Sequence, residues 1–314
     1  MKIIYHSEIT PWLRERFAAL AVQGLTVEAV DATDDVHFRT ALPTAQVIWH
    51  ALRPLGEADM AAGPNLRLIH KIGVGVNTID LEAARRHGIA VCNMPGSNAQ
   101  AMAEMTLLLM LACLRRLPLL DRATREGHGW RLGPDIRDAM GEVSGRTVGL
   151  VGFGTIPRTL APALVALGAA LIYTATAPKD VGAARFVSLD ALLREADIVS
   201  LHVPETDATV GMIGEAQLSR MKRGAILINT ARGRLVDERA LVEALRSGRL
   251  AAAGLDVFAG EPVAPDNPLL HLDNVVVTPH LGWLSRGTLE RSFEIAAENC
   301  RRLAAGEALL HRVV

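Results

Sequence analysis

The chain has 314 residues, more than one ordinary core accommodates, so two domains are expected. Half of its residues are hydrophobic (50%) and its formal net charge is −1 with both signs mixed along the chain, which excludes wholesale disorder and a basic nucleic-acid-binding face. The cysteines Cys92, Cys113 and Cys300 form no CxxC pair, which excludes a disulfide framework and a cysteine zinc site, and no metal is expected.

Taken in order, short β-type runs alternate with helical stretches, the pattern of parallel sheets with crossover helices. Strands are predicted at Lys2–Tyr5, Thr26–Val30, Gln46–Trp49, Leu66–His70 and Ala90–Cys92, with helices such as Trp12–Leu20 and Leu81–His87 between them. This is a small doubly wound domain of about 100 residues. A long apolar helix, Ala99–Leu117, then runs into a polar segment, Arg122–Glu142, as a linker or a dimer arm. A second α/β unit starts at Gly145, with strands at Thr147–Val151, Ala170–Tyr173, Ile198–Leu201, Ala225–Asn229, Ala252–Leu255 and Val275–Thr278. The final helix, Arg286–Ala305, is expected to return to the first domain, which otherwise lacks a covering element. The expected fold is α/β with two doubly wound parallel-sheet domains: residues 1–98 plus 286–314, and a dinucleotide-binding domain over 99–285 inserted between them. The N-terminus shows no signal-peptide pattern, and the longest apolar run, Met105–Cys113, is too short to cross a bilayer. A cytoplasmic protein without membrane or nucleic-acid partners is expected.

The strand Thr147–Val151 runs into Gly152-Phe153-Gly154-Thr155-Ile156-Pro157, with a helix expected from about Arg158. In that strand–turn–helix setting Gly152 permits the sharp turn and Gly154 lets a pyrophosphate approach the backbone. The free amides of Thr155 and Ile156 would bind the anion. Pro157 replaces a third glycine, at a place where a first helical turn tolerates proline. After the next strand come Thr174, Ala175, Thr176 and Lys179, with no carboxylate before Asp180. A carboxylate there would grip the ribose hydroxyls of NAD and repel the 2′-phosphate of NADP. Its absence, with two hydroxyls and a lysine nearby, favours NADP over NAD.

Three polar groups follow the ends of late strands, where open α/β sheets bind ligands. Arg232 lies in Asn229-Thr230-Ala231-Arg232-Gly233, and a guanidinium there can grip a carboxylate with two parallel bonds. His280, in Thr278-Pro279-His280-Leu281-Gly282-Trp283, suits a proton donor beside a hydride donor. Glu261, in Asp256-Val257-Phe258-Ala259-Gly260-Glu261-Pro262, would orient that imidazole. Among the other histidines, His6, His87, His128, His271 and His311 read as surface residues, and His202 as an adenine-side or structural residue. His50, Leu52, Arg53 and Trp283 are expected to shape the substrate pocket, with Trp283 an apolar wall.

With these segments in hand, the chain resembles the D-isomer-specific 2-hydroxyacid dehydrogenase family over essentially its full length. The motifs appear in order: Gly73-Val74-Gly75-Val76-Asn77-Thr78-Ile79-Asp80, Asn93-Met94-Pro95-Gly96-Ser97-Asn98, the glycine turn, His202-Val203-Pro204, Asn229–Gly233, Asp256–Pro262 and Pro279-His280. The resemblance implies a Rossmann cofactor domain inserted into a flavodoxin-like substrate domain, and a homodimer. It implies hydride transfer between NAD(P)H and a small 2-oxo or 2-hydroxy acid, as in glyoxylate/hydroxypyruvate reductases. Arg232 would bind the substrate carboxylate and carbonyl, and His280 with Glu261 would be the acid/base. The amides of Val74 and Gly75 would hold the carboxylate from the other domain. Asp256 would contact the nicotinamide carboxamide, with Thr230 and Ala231 nearby and His202 and Pro204 toward the adenine. The chain departs from the family at Pro157, at Ala175 in place of a ribose-binding aspartate, and at Asn77 in place of aspartate. A formate or phosphite enzyme on the same scaffold, or a non-catalytic cofactor-sensing protein, are the alternatives. The complete Arg232, Glu261 and His280 set argues against the second, and an acid at His280 against formate chemistry.

Overall fold

The computed structural model describes every residue except Ala32 and Leu132. The described residues divide into two units, Met1–Asn98 with Ser285–Val314, and Ala99–Leu284.

The first unit opens with β1 (Lys2–His6), α1 (Pro11–Val22), β2 (Thr26–Val30), α2 (Asp35–Ala41), β3 (Val47–His50), α3 (Glu57–Ala61), β4 (Leu68–Lys71), α4 (Leu81–Arg86) and β5 (Ala90–Cys92). Its strands pair in parallel in the order β2-β1-β3-β4-β5, the doubly wound flavodoxin-like order. Both sheet faces are covered, so the strands are apolar on both sides. One face packs Ile4, Ile48, Ile69 and Val91 against Phe38 of α2 and Ala83 of α4. The other carries an aromatic cluster of Tyr5, Trp49 and Phe17 of α1. Helix α1 starts where it does because Thr10 accepts a bond from the Leu13 amide (3.3 Å) and Pro11 preorganises the first turn.

The second unit holds α5 (Ala99–Leu114), α6 (Leu117–Arg125), α7 (Pro134–Asp138), β6 (Thr147–Val151), α8 (Thr155–Ala166), β7 (Ala170–Thr174), β8 (Arg185–Phe186), α9 (Leu189–Glu195), β9 (Ile198–Leu201), α10 (Glu215–Arg220), β10 (Ala225–Asn229), α11 (Glu238–Arg246), β11 (Leu250–Leu255) and β12 (Val275–Val277). The parallel order β12-β11-β10-β9-β6-β7-β8 is that of a dinucleotide-binding sheet, with its switch point between β6 and β9. Helices α5 and α8 cover one face through Leu109, Met110, Leu160 and Leu164. Helices α9, α10 and α11 cover the other through Leu192, Leu218, Leu241 and Leu245.

The chain then returns to the first unit as α12 (Arg286–Ala305), capped by Ser285, whose hydroxyl accepts from the Thr288 amide at 3.1 Å. Phe293 of α12 joins the Tyr5 cluster, and fully buried Asn299 donates to His70 Nε2 (2.9 Å) and pairs with Leu310.

Three expectations need correction. The helix expected over Ala99–Leu117 ends at Leu114 and Arg116 takes φ +52°: Pro118 has no amide to donate and in a continuous helix its ring would clash with the Leu114 carbonyl, whereas the first turn of a new helix, α6, accepts it. The sheet gains β8, a two-residue edge strand too short and exposed to carry a period. His6 is a core residue: as the last residue of β1 it sits between two strands, 0% exposed, with its ring stacked 4.2 Å from that of Phe38.

Candidate active site

The registers of the second sheet place Thr174, Val151, Leu201, Asn229, Leu255 and Val277 in one row across six parallel strands. The ladder extends one step further: the amides of Gly152, His202, Asp256 and Thr278 donate to Thr174, Val151, Asn229 and Leu255 at 2.9, 2.7, 3.0 and 2.9 Å. Motif residues from six distant stretches therefore emerge along one carboxyl edge, where strand ends leave the sheet and ligands bind.

At the switch point Gly152 takes φ +91°, and a Cβ there would lie 2.6 Å from the His202 carbonyl oxygen, so no other residue fits the turn. Gly154 is the N-cap of α8, and a Cβ on it would meet nothing, so its face is open. The helix starts at Thr155, three residues earlier than expected, which puts Pro157 in the first turn where no intrahelical amide bond is lost. The first-turn amides of Thr155 and Ile156 thus point out of a twelve-residue helix beside an open glycine face. These residues fit a pyrophosphate. Thr174 and Ala175 are half-buried at the end of β7, and Thr176 is exposed. His202 Nε2 lies 2.9 Å from the Ser200 hydroxyl, and the exposed Pro204 follows it.

At the opposite side of the switch point Asn229 shapes the Arg232 loop. Its Oδ1 accepts from the Ala231 amide (3.1 Å) and its Nδ2 donates to the Arg232 carbonyl (2.8 Å). The half-buried Arg232 donates from Nη1 to the Ala231 carbonyl at 2.6 Å. Thr230 does not offer its hydroxyl to the edge: the side chain is buried and lies 3.0 Å from the Thr106 hydroxyl of α5.

His280 and Glu261 meet, with Nδ1 2.6 Å from Oε2. The other carboxylate oxygen accepts from the Phe258 amide at 2.9 Å. A carboxylate at Nδ1 assigns the proton there and leaves Nε2 for a ligand. Burial raises the Glu261 carboxyl. The hydrogen bonds from His280 and Phe258, with the charges of His280 and Arg232, outweigh it and hold the carboxyl below the usual range. Arg232 thus acts electrostatically on the same carboxylate that holds His280.

The backbone of His280 is in the left-handed region, φ +56°, which costs a non-glycine residue energy and is seen where function demands it. Its amide donates to the Asp256 carbonyl (2.8 Å), and its carbonyl accepts from Trp283 Nε1 (3.1 Å). The Asp256 carboxylate, 0% exposed, accepts from the Thr278 hydroxyl (2.6 Å) and the amides of Leu281 (3.0 Å) and Gly282 (2.9 Å). Burial and three donors tie this carboxylate to the loop that carries His280, and its Oδ2 takes one of them. Asn229, Thr278 and Thr106 are supports that sequence reasoning did not single out. Asn229 alone left a signal, an asparagine ending a buried strand ahead of a turn.

In the first unit, Val74 is exposed and Gly75 half-buried in the turn after β4, with the Val74 carbonyl accepting from Asn93 Nδ2 (2.9 Å). Leu52 is exposed. His50 lies on no open wall: it is fully buried in register between His6 and Lys71, and its Nε2 contacts the Arg53 carbonyl at 2.5 Å. Burial and the Lys71 charge lower its pKa to about 3. Arg53 is committed to Asp35 (2.8 Å) and Asp59 (3.4 Å). Among the described residues no group of three or more His, Cys, Asp or Glu could hold a metal, and no helix is long and apolar enough to cross a membrane.

Residues 107–282 match the family model described as D-isomer specific 2-hydroxyacid dehydrogenase, NAD binding domain. The chain is 42% identical over 260 residues to a glyoxylate reductase of Korarchaeum cryptofilum, covering 81% of this chain and 78% of the relative. It is 42% identical over 313 residues to a D-3-phosphoglycerate dehydrogenase of Archaeoglobus fulgidus, covering 98% of this chain but only 58% of that longer relative. Among solved structures, the TT0316 protein from Thermus thermophilus superposes with a TM-score of 0.91 at 38% identity, each chain fully covered (100%).

Proposed function

The chain belongs to the D-isomer specific 2-hydroxyacid dehydrogenase family, and from that premise we propose that Arg232, Glu261 and His280 are the groups with which it handles its substrate. The protein is an oxidoreductase that passes a hydride between a nicotinamide dinucleotide and a small 2-oxo acid, giving the 2-hydroxy acid. The observation that carries the residue assignment is the 2.6 Å contact of His280 with Glu261, on a carboxylate that also feels Arg232.

The bound nicotinamide supplies the hydride. Arg232 holds the carboxylate and carbonyl oxygen of the oxo acid, a planar fork matched to planar acceptors. His280 delivers a proton from Nε2 to the carbonyl oxygen as charge develops there, and takes it back in the reverse direction. Glu261 keeps the ring oriented through Nδ1 and balances the charge of the imidazolium. Gly152, Gly154, Thr155 and Ile156 receive the pyrophosphate, and Ala231, His202 and Pro204 border the dinucleotide. Val74 and Gly75 are proposed as amide donors to the substrate carboxylate, and Leu52 and Trp283 as side-chain selectors.

Within the glyoxylate and hydroxypyruvate reductases, NADP is proposed as the preferred cofactor over NAD. The support is the end of β7, where Thr174, Ala175 and Thr176 offer no carboxylate to grip a ribose diol or repel a phosphate. A homodimer is also proposed, supported by the exposed apolar side chains of Leu108, Leu111 and Leu117 on α5 and α6.

The test is turnover of NADPH and of NADH with glyoxylate, hydroxypyruvate and pyruvate. Reduction of at least one acid, abolished in His280→Ala and weakened in substrate affinity by Arg232→Ala, is the expected result. Turnover that survives in His280→Ala overturns the assignment.

A further inference from the structure

The loop that carries Glu261 has little packing of its own. Between buried Phe258 and buried Leu269 every residue is exposed except Val263 and Asn267, which are half-buried. Glu261 nevertheless meets His280 at 2.6 Å. Displacing a reacting group by about 1 Å costs of order 10²-fold in rate, so a loop with so few core contacts needs another hold.

Glu238, in the first turn of α11, supplies it. Its Oε1 accepts from the Ala259 amide (2.7 Å) and its Oε2 from Asn267 Nδ2 (3.1 Å), one donor near each end of the loop. Asn267 is itself fixed, because its Oδ1 accepts from the Leu269 amide at 3.0 Å. The helix does not need this carboxylate as a cap. Asp237 already fills that place, accepting from the amides of Arg239 and Ala240 at 3.0 and 3.2 Å. Ala259 directly follows Phe258, whose amide holds Glu261 Oε1 at 2.9 Å. Two successive amides thus serve two carboxylates: the first grips Glu261, and the second is gripped by Glu238. Their planar peptide units meet at the Phe258 Cα, so a shift at Ala259 is passed on to the donor that holds Glu261.

We propose that Glu238 is a positioning residue for the reaction: it clasps both ends of the Glu261 loop and so sets Glu261 against His280. The inference rests on the reading of Glu261 and His280 as the acid/base pair and deepens it by a residue that acts only through that pair. Both bonds of the clasp run from neutral N–H groups to an ionised carboxylate, the stronger class of hydrogen bond. An amide at position 238 keeps an acceptor for Ala259 but loses the charge and turns a donor toward Asn267 Nδ2.

The test is a double-mutant cycle in steady-state kinetics of the whole protein, with NADPH or NADH and whichever of glyoxylate, hydroxypyruvate and pyruvate turns over fastest. Glu238→Ala should lower kcat about tenfold and change the KM for the nucleotide less than about twofold. Glu238→Gln should recover part of that loss. Asn267→Ala, which leaves α11 and Glu238 in place, should lower kcat by a smaller factor and carries the test if Glu238→Ala does not fold. In a Glu261→Ala background, Glu238→Ala should cost less than about twofold more, since no carboxylate is left to align. A kcat within about twofold of the unaltered protein in Glu238→Ala overturns the proposal. So does a loss of the same factor in both backgrounds, which would make Glu238 a support of the fold alone. If Glu261→Ala itself leaves kcat unchanged, the acid/base reading fails and this one with it.

Discussion

Gly233 packs its backbone directly against the carbonyl group of Phe258, so closely that any Cβ on Gly233 would overlap the Phe258 carbonyl carbon. This contact joins the loop that carries Arg232 to the loop whose Phe258 amide holds Glu261. Gly233→Ala must therefore push the two apart. Overpacking of this kind costs about 1–3 kcal/mol. The expected outcome is a lower melting temperature together with a loss of kcat/KM larger than the loss of nucleotide affinity. Wild-type turnover in Gly233→Ala would show that the two loops are not coupled.

His280 and Glu261 should separate in their effects. Removing a general acid lowers turnover by about 10²–10⁴-fold, and His280→Ala is expected in that range with nucleotide binding unchanged. Glu261→Gln should cost a smaller factor, since the amide still reaches the ring. The Glu261 carboxyl is held below its ordinary value, so its stabilising contribution is complete above the usual carboxylate pKa. That contribution is lost as pH falls through the lowered folded value. Melting curves from pH 6 downward should show an acid loss in the wild type that Glu261→Gln lacks in part; superimposable curves would refute it.

Asp256 holds the loop that carries His280 through three bonds to its carboxylate. In Asp256→Asn the new amide group would face either the Gly282 amide or that of Leu281, donor against donor. Displacing a reacting group by about 1 Å costs of order 10²-fold in rate. The expected signature is a fall in kcat with little change in nucleotide affinity, and recovery of nothing by added cofactor. If affinity for the nucleotide falls while kcat at saturation holds, Asp256 is a cofactor ligand instead.

Stability should decline on mild acidification. Burial lowers the pKa of His50 to about 3 and of His70 to about 4; burial and the Arg53 charge lower His6 to about 4 against three nearby aspartates. Their folded values lie below the ordinary 6.5, so the unfolded chain binds protons that the folded chain refuses. The contribution is whole above about pH 6.5 and falls toward pH 4 by about 1.4 kcal/mol per unit for each such group. Melting temperature should drop between pH 7 and pH 5, less steeply in His6→Phe. A flat profile over that interval would exclude the prediction.

Strand positions and the glycine turn were legible from local pattern, because buried parallel strands are short apolar runs ended by turn residues, and the proposed Arg232, Glu261 and His280 set was picked out because each follows such a strand end. The family pattern extended that reading to function. What each side chain touches was not legible. His6 and His50 look alike as polar residues at strand ends, and only the packing of α2 and of neighbouring strands makes them core. That the Asp256 carboxylate accepts from Thr278, Leu281 and Gly282, and so ties down the loop carrying His280, could not be read from the chain order. Sequence by itself determined the elements and the chemical inventory, since periodicity and turn chemistry act over a few residues. Register across parallel strands and the assignment of each hydrogen bond belong to the tertiary structure, because they depend on which distant segments share an edge.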